Sequence, residues 1–326
     1  MLSRKILYSF MAAYGLSFSA VASAQDWPAR PLTMVVPFAA GGPVDVLGRL
    51  LQPHLGEALG QQVIIENVSG AGGMVGSLRV SLSQDNHQFV LGSIGTHALN
   101  QALYKKPLYD VATDFAPVIL IADAPLVLIV RKDLPVNDLK EFAAYAKVNQ
   151  TKMQYGSGGT STSAHVGCVL LNRAIGVDIT HIPYRGGGPA MQDLIAGRID
   201  YVCNYVSTAL PAVQGGTAKV VATLARARST AFPNIATAHE QGLKDFDVSA
   251  WNAMFMPKNA APAIVGKLNA AVSRVLDMPA VAKRLDDIGL IVVARERRSP
   301  AYLAKFVAGE IERWSIPIKA SGLSAE

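Results

Sequence analysis

Residues 32–67 read LTMVVPFAAGGPVDVLGRLLQPHLGEALGQQVIIEN, and this stretch decides the fold class. Its two ends, LTMVVPF and QVIIEN, are short, apolar and rich in β-branched residues, as strands are. Between them, apolar side chains recur every three or four residues, which places them on one face of a helix. Those side chains are Val44, Leu47, Leu51, Leu55 and Leu59. Gly60 then ends the helix, so the stretch predicts a strand, a helix and a second strand.

The same alternation continues along the chain. Strand-like segments QFVLGSIG, KMQYGSGG and ITHIPYRGGG each precede a helical pattern, and IDYVCNY is a further strand. The three predicted helices run from about Thr96 to Leu103, from about Ser163 to Ala174, and from Pro189 to Ala196. Repeated units of this kind predict an α/β fold with mostly parallel sheets that carry helices on both faces.

Two stretches interrupt the alternation. FAPVILIADAPLVLIVRKD (115–133) and FDVSAWNAMFMPKNAAP (246–262) are long and strand-like without a helix. We interpret them as crossings between two lobes. The first lobe then comprises residues 25–123 and 250–326, and the second comprises residues 124–249. The C-terminal part predicts long amphipathic helices, the last of which begins with Ser299 as its N-cap and Pro300 after it.

The first 24 residues have the pattern of a secretory signal peptide. Arg4 and Lys5 precede the apolar stretch ILYSFMAAYGLSFSAVA, and Ala22, Ser23 and Ala24 form a small-residue cleavage site. A membrane anchor is the alternative, but Ser and Gly interrupt the stretch. We therefore expect an exported, soluble protein whose mature chain begins near Gln25.

Charge and cysteine content exclude some classes of protein. Loss of Arg4 and Lys5 lowers the formal net charge from +6 to +4, and the other cationic residues are scattered, so nucleic-acid binding has little support. The densest basic cluster lies at residues 295–298 and suits a solvated loop. Cys168 and Cys203, the two cysteines, either form a disulfide bond in an oxidising compartment or remain buried thiols.

Four strands end in a glycine-rich turn before a helix. The turns are PFAAGGPVD (37–45), GSIGTH (92–97), GSGGTSTSAH (156–165) and YRGGGPA (184–190). Open α/β sheets bind ligands at the carboxyl ends of their strands, and helix N-termini there favour an anion. The third turn adds hydroxyl donors from Ser157, Thr160, Ser161, Thr162 and Ser163. The turns predict a cleft for a carboxylate, although ordinary helix capping also explains each turn taken singly.

Other chemistries lack their motifs. The turns match neither the phosphate-binding loop nor the dinucleotide-binding pattern, and no Gly-x-Ser-x-Gly elbow is present. The histidines lack a metal-ligand spacing, so we expect neither a metal nor a cofactor. His97 and His165 lie near two turns, where they either line the cleft or pack beneath it. Four aromatic residues near the turns are candidates for a stacking wall, namely Phe38, Tyr184, Tyr205 and Trp251.

Several blocks of the sequence resemble one known family. VVPFAAGGPVDVLGRLL, GQQVIIENVSGAGGMVGSLRV, YGSGGTSTSAH, HIPYRGGGPAMQDLIAGRIDYV and FPNIATAHEQGL look like the signature blocks of the tripartite tricarboxylate transporter receptors, also called Bug-type periplasmic solute-binding proteins. The blocks occur in the family's order over essentially the whole mature chain. Two departures are QDNHQFVL (84–91), which replaces the usual Pro-Asp-Gly turn, and PFAAGG, which lacks two prolines.

The resemblance implies a type II periplasmic-binding-protein fold, with two Rossmann-like lobes joined by two crossing segments. It also implies a monomeric, non-enzymatic receptor in the periplasm that closes on a small organic acid and delivers it to a membrane permease. Family positions carried over to this chain, together with the remaining turns and the strand end at 204, give the predicted ligand-binding set: Phe38, Ala39, Gly41, Gly42, Asp45, Gly95, Thr96, Ser157, Gly158, Gly159, Thr160, Ser161, His165, Tyr184 and Asn204.

Some alternatives remain open on the sequence. Asp45 either approaches the ligand through water or stabilises the first turn of its helix. Arg185 stands where relatives often have lysine, and it either pairs with a distal carboxylate of the ligand or faces solvent. A secreted α/β enzyme that acts on an organic acid, and a ligand-sensing partner of a membrane kinase, are the rival functions.

Overall fold

The first β-α-β unit forms as the sequence predicts. In the computed structural model, which describes residues 27–160, 162–321 and 324, a helix runs from Pro43 to Leu59 between two parallel strands. This helix contains Gly48, Gly56 and Pro53, which cost about 1, 1 and 3 kcal/mol in a helix interior. The five apolar side chains that this helix buries contribute roughly 1.5–3 kcal/mol each, so tertiary burial outweighs poor propensity.

The described residues form ten strands and eleven α-helices. The strands are β1 (Leu32–Val36), β2 (Val63–Asn67), β3 (Gln88–Ser93), β4 (Phe115–Arg131), β5 (Gln154–Ser157), β6 (Thr180–Pro183), β7 (Tyr201–Tyr205), β8 (Ala218–Thr223), β9 (Ser249–Pro257) and β10 (Ile291–Val292). The helices are α1 (Pro43–Leu59), α2 (Met74–Ser81), α3 (Asn100–Leu103), α4 (Val111–Asp114), α5 (Leu139–Asn149), α6 (Ser163–Ile175), α7 (Gly187–Ile195), α8 (Val206–Gln214), α9 (Pro262–Leu276), α10 (Pro279–Asp287) and α11 (Pro300–Ser321).

The strands build two half-sheets that share β4. The overall order is β2-β1-β3-β9-β4-β7-β5-β6, and β10 and β8 also pair with β4. Parallel pairs such as β1 with β2 and β5 with β6 form the outer part of each half. Helices α1 and α9 pack together beside the first half, whereas α7 packs against β5 and β7 in the second half. Each half is therefore a Rossmann-like lobe.

Two crossing segments join the lobes, as predicted. β4 pairs with β9 as far as Pro125, and from Leu126 onward it pairs with β7 instead. The return passes through Leu224, whose N–H donates to the carbonyl of Leu126, and Val248, whose N–H donates to the carbonyl of Leu224. The exact residues at which we divide the lobes, 123/124 and 249/250, stay a prediction.

The C-terminal region differs from expectation in one place. The long helical pattern after residue 261 is divided into α9 and α10, since Pro279 starts a new helix and cannot continue the hydrogen-bond ladder of the previous one. The start of α11 agrees with the prediction, because the Ser299 hydroxyl accepts a hydrogen bond from the N–H of Tyr302 at 3.1 Å. No helix in the described ranges is both long and apolar enough to span a bilayer.

The structure also decides two points about side chains. Cys168 and Cys203 form a disulfide bond that ties α6 to β7 inside the second lobe. The basic cluster at 295–298 is not a solvated loop, and that expectation was wrong. Arg297 makes two hydrogen bonds to the Asp123 carboxylate, and Arg298 is buried against Asp277, because both carboxylates lie close enough to compensate the guanidinium charge.

Candidate ligand-binding cleft

The first-lobe turn, residues 37–42, connects β1 to α1. Gly42 is the N-cap of α1 and provides no side-chain cap, so the first amides of the helix are left for another acceptor. Gly41 adopts φ +78°, a left-handed conformation that favours glycine.

Asp45 holds this turn in place. Its buried carboxylate accepts hydrogen bonds from the Gly41 N–H at 2.9 Å, from Arg49 Nε at 2.8 Å and from Asn67 Nδ2 at 2.9 Å. Burial raises the pKa of Asp45, but these hydrogen bonds outweigh it and hold the pKa below its ordinary value. The structure thus shows Asp45 stabilising the turn at the start of α1, and an approach of Asp45 to the ligand through water stays a prediction.

The second-lobe turn, residues 158–162, connects β5 to α6. The Ser157 hydroxyl bonds within its own turn, to the carbonyl of Gly159 at 3.0 Å, and also contacts His181 Nε2 at 2.8 Å. Thr162 is the N-cap of α6, and its hydroxyl accepts from the His165 N–H at 3.3 Å and donates to the carbonyl of Gly159 at 2.9 Å. Thus the hydroxyls of Ser157 and Thr162 stabilise the turn itself.

A pocket between the lobes, which we call the inner pocket, lies where these turns meet. Its lining is Phe38, Pro43, Val44, Ser93, Gly158, Thr162, Ser163, Ala164, Gly187, Asn204 and Tyr205. These residues include the first positions of α1, α6 and α7, so three helix N-termini converge on one space. None of the described lining residues carries a charge.

Several donors in the inner pocket have no acceptor among the described residues. They are the N–H groups of Val44, Ser163, Ala164 and Gly187, and the Nδ2 of Asn204. The Asn204 Oδ1 accepts from the Tyr205 N–H at 2.8 Å, and this bond leaves the amide nitrogen for the pocket. The Ser163 and Tyr205 hydroxyls bond each other at 2.9 Å.

A second pocket, which we call the outer pocket, adjoins the first. It shares Phe38 and Gly158 with the inner pocket. Its full lining is Phe38, Ser69, Gly70, Ala71, Gly72, Gly73, Tyr104, Gly158, Gly159, Thr160, Tyr184 and Arg185. Residues 69–73 follow β2 in the first lobe, and most of the opposite wall comes from the second lobe.

Glycines allow the two lobes to approach closely. A methyl group added to Gly188 would lie 3.6 Å from the Gly41 carbonyl, and one added to Gly159 would lie 4.0 Å from the Cα of Gly72. One added to Gly42 would lie 4.0 Å from the Gly187 nitrogen. The structure therefore has the lobes in a closed arrangement, with backbone against backbone at the cleft.

The histidines near the turns pack beneath the cleft. His97 stacks on Phe255, with ring centroids 3.9 Å apart, and burial lowers its pKa to about 3. The rings of His165 and His181 lie 4.2 Å apart beneath the second turn. Burial, together with the neighbouring His181, lowers the pKa of His165 to about 3. The rings of His97 and His165 are therefore neutral near pH 7, and neither residue lines the inner or the outer pocket.

The predicted residues fall into four groups. Phe38, Gly158 and Asn204 line the inner pocket, and Phe38, Gly158, Gly159, Thr160 and Tyr184 line the outer one. Ala39, Gly41 and Gly42 lie in the contact between lobes. Asp45, Gly95, Thr96, Ser157 and His165 are in neither lining. Ser161 lies outside the described residues.

Sequence reasoning missed the turn at residues 69–73. It follows a strand and precedes α2, and its sequence SGAGG has the same pattern as the four turns that were recognised. Of the aromatic candidates, Phe38, Tyr184 and Tyr205 line the pockets, whereas Trp251 is buried and donates to Glu310 at 3.0 Å. Residues 27–160, 162–321 and 324 contain no cluster of three or more His, Cys, Asp or Glu suited to a metal ion.

Comparison with known proteins agrees with this geometry. Residues 47–323 match the family described as tripartite tricarboxylate transporter family receptor. A protein of the UPF0065 group in the TAR-I ttuE-ttuC' intergenic region of Agrobacterium vitis is 38% identical over 93% of this chain and 88% of its own.

Solved structures give the same result. MatC (Rpa3494) from Rhodopseudomonas palustris, with bound malate, is 41% identical with a TM-score of 0.86, over 90% of this chain and 100% of its own. The periplasmic binding protein BugD is 33% identical with a TM-score of 0.88, over 92% and 100%. Rpa4515 from R. palustris, with adipate, is 32% identical with a TM-score of 0.87, over 91% and 99%.

Proposed function

Because the chain belongs to the tripartite tricarboxylate transporter receptor family, a family of periplasmic solute receptors, we propose that it binds a small organic carboxylate between its lobes and delivers it to a membrane permease. Relatives at this level of similarity hold malate and adipate, both carboxylates. We assign each predicted ligand-binding residue that lines a pocket to the inner or the outer pocket, whichever it lines.

One observation carries the proposal. The N-termini of α1, α6 and α7 meet at the inner pocket, whose described lining carries no charge. A helix N-terminus presents unpaired N–H groups and a partial positive charge, and both favour a negative ligand group. The Nδ2 of Asn204 adds a neutral donor. A carboxylate of the ligand is therefore held by backbone amides and dipoles.

The donors available suit the demand of a carboxylate. Its two oxygens accept about four hydrogen bonds. The amides of Val44, Ser163, Ala164 and Gly187 provide N–H groups from both lobes, in addition to the Asn204 side chain. Each hydrogen bond to a charged group contributes about 1.5–3 kcal/mol. A carboxamide in the same place brings its own N–H groups against these donors and loses the charge.

Closure of the lobes completes this set of donors. Val44 belongs to the first lobe and Ser163 to the second, so an open form separates donors that the closed form unites. A ligand that contacts both lobes stabilises the closed form by its differential affinity. The permease then recognises the closed, loaded receptor through this shift of population.

The remaining parts of the proposal concern location and assembly. We place the receptor in the periplasm as a monomer without enzymatic activity, exported by a signal peptide that is cleaved near Gln25. Residues 1–26 lie outside the described part of the chain, and N-terminal sequencing of periplasmic material tests the cleavage. Family membership supports the location and the permease.

Calorimetric titration of the ligand-stripped protein tests the proposal. The titrants are small mono-, di- and tricarboxylic acids and the corresponding amides. We expect at least one acid to bind with its amide far weaker, and an acid present at 100 times its Kd to raise the unfolding free energy by about 2.7 kcal/mol. Equal binding of acid and amide, or binding of no acid, contradicts the proposal. Chemical turnover of a bound acid supports the secreted enzyme instead.

A further inference from the structure

The two pockets adjoin each other in the cleft. They share Phe38 and Gly158, and they differ greatly in size, with cavity volumes of ≈ 30 Å³ for the inner pocket and ≈ 510 Å³ for the outer one. One water molecule needs about 10–15 Å³ on this scale, so the inner pocket accommodates little more than a carboxylate group. The rest of an organic acid must extend past Phe38 into the outer pocket.

The outer pocket has a different chemistry from the inner one. Among the described residues that line the outer pocket, Arg185 carries a positive charge, and none is Asp or Glu. Ser69 and Thr160 add exposed hydroxyl groups on opposite sides. The N–H groups of Ala71 and Gly72 also face no acceptor within the described ranges. The outer pocket is thus a second region of donors, and it includes a full positive charge.

The charge of Arg185 is not neutralised by the protein. Arg185 is exposed and makes no ion pair with any residue in the described ranges. The neighbouring Tyr184 hydroxyl donates to the Asp193 carboxylate at 2.8 Å, but Asp193 already pairs with Arg198 at 2.6 Å. By contrast, Arg131 bonds with Asp200 at 3.0 Å. Arg185 is therefore a guanidinium at the mouth of the cleft with its donors available to a ligand.

We propose that Arg185, together with the turn at residues 69–73, binds a second carboxylate at the far end of the ligand, so that the receptor selects dicarboxylic acids. This inference rests on the proposed function, because the inner pocket must hold the first carboxylate. The planar guanidinium offers two parallel N–H groups to a carboxylate, a geometry that an ammonium lacks. The neutral donors of the inner pocket provide most of the affinity, and Arg185 provides the preference for dicarboxylic acids.

The test compares matched ligands that differ only at one end. The probes are straight-chain diacids of four to eight carbons, each paired with its monoamide. Wild-type protein is titrated by calorimetry with every pair. We expect the best diacid to bind about fivefold more tightly than its monoamide, because an exposed ion pair contributes up to about 1 kcal/mol. In Arg185→Gln the two should bind within about twofold of each other, mainly because the diacid loses affinity.

A matched control removes the same charge elsewhere. Arg284 in α10 is exposed and has no ion pair with a described residue, so Arg284→Gln should keep the preference for the diacid. A preference that survives Arg185→Gln overturns the inference, as does equal binding of diacid and monoamide by the wild-type protein. If neither ligand of any pair binds, the proposed function fails, and the inference fails with it. Arg185→Lys should retain part of the preference, because it keeps the charge and loses the bidentate geometry.

Discussion

The inner and outer pockets differ in the donors that they offer to an anionic group. The inner pocket is small and is lined mostly by buried residues, and its described lining offers backbone amides and helix N-termini but no charged side chain. The outer pocket is larger, is lined partly by exposed residues and adds the guanidinium of Arg185. An anion is stabilised strongly by neutral donors where water is excluded, whereas an exposed charge is screened by solvent. On the proposed function, affinity and selectivity are located in different pockets.

The largest effect should come from a negative charge placed in the inner pocket. Asn204→Asp keeps the side-chain shape and the acceptor for the Tyr205 N–H, but it sets a carboxylate against the anionic ligand. Like charges in such a place cost several kcal/mol, so we expect affinity for any bound acid to fall at least 100-fold. Calorimetric titration measures this. Asn204→Ala, which only removes a donor, should lose less affinity for the acid. Equal affinity of the two variants would contradict the proposed difference between the pockets.

The next effect concerns the support of the first-lobe turn. Asp45 has a folded pKa below that of the unfolded chain, so its contribution to stability is present above the unfolded pKa, near 3.9, and is lost as the pH falls through the folded pKa. Asp45→Asn should therefore lower the unfolding free energy by about 2 kcal/mol at pH 7. The difference from wild type should shrink as the pH falls below 4. Chemical denaturation at several pH values tests this, and a difference that grows in acid is the contrary result.

The smallest effects should separate two neighbouring threonines. Thr162 caps α6, so Thr162→Ala should lower the unfolding free energy by about 1 kcal/mol. Thr160 is exposed in the outer pocket, so Thr160→Ala should leave stability unchanged and weaken diacid binding by less than about 1 kcal/mol. Denaturation and titration of both variants measure this. If Thr160→Ala lowers stability and Thr162→Ala leaves stability unchanged, the division between the two pockets is contradicted.

Sequence patterns predicted the strand-turn-helix units and the two crossing segments of this structure well. Strand, glycine turn and helix occur in α1, α6 and α7 where the periodicity and glycines predict them, although α7 begins two residues before the predicted Pro189. These features are local, because the periodicity and the turn glycines lie within about 20 residues of one another. The crossing segments were also visible, since β4 is a strand-like run too long for one lobe.

Features that depend on spatial neighbours were not predictable. The pairing of Cys168 with Cys203 requires α6 to lie beside β7, and the burial of Arg298 requires Asp277 to reach it from another helix. Helix α5 was overlooked, although its cap is local, since Asp138 accepts from the Glu141 N–H at 2.7 Å. The position of Arg185 beside the turn at residues 69–73 needs both lobes together, and so the sequence alone left its role open.

The most direct test of the account is a crystal structure of the protein with the monoamide of a diacid that it binds. The two ends of this ligand differ only in charge, so its orientation reports which pocket prefers the carboxylate. We predict that the carboxylate lies in the inner pocket, within hydrogen-bonding distance of the Ser163 and Ala164 amides, and that the amide end points towards Arg185. The carboxylate at Arg185 and the amide in the inner pocket would contradict the central claim that neutral helix N-termini hold the ligand's charge.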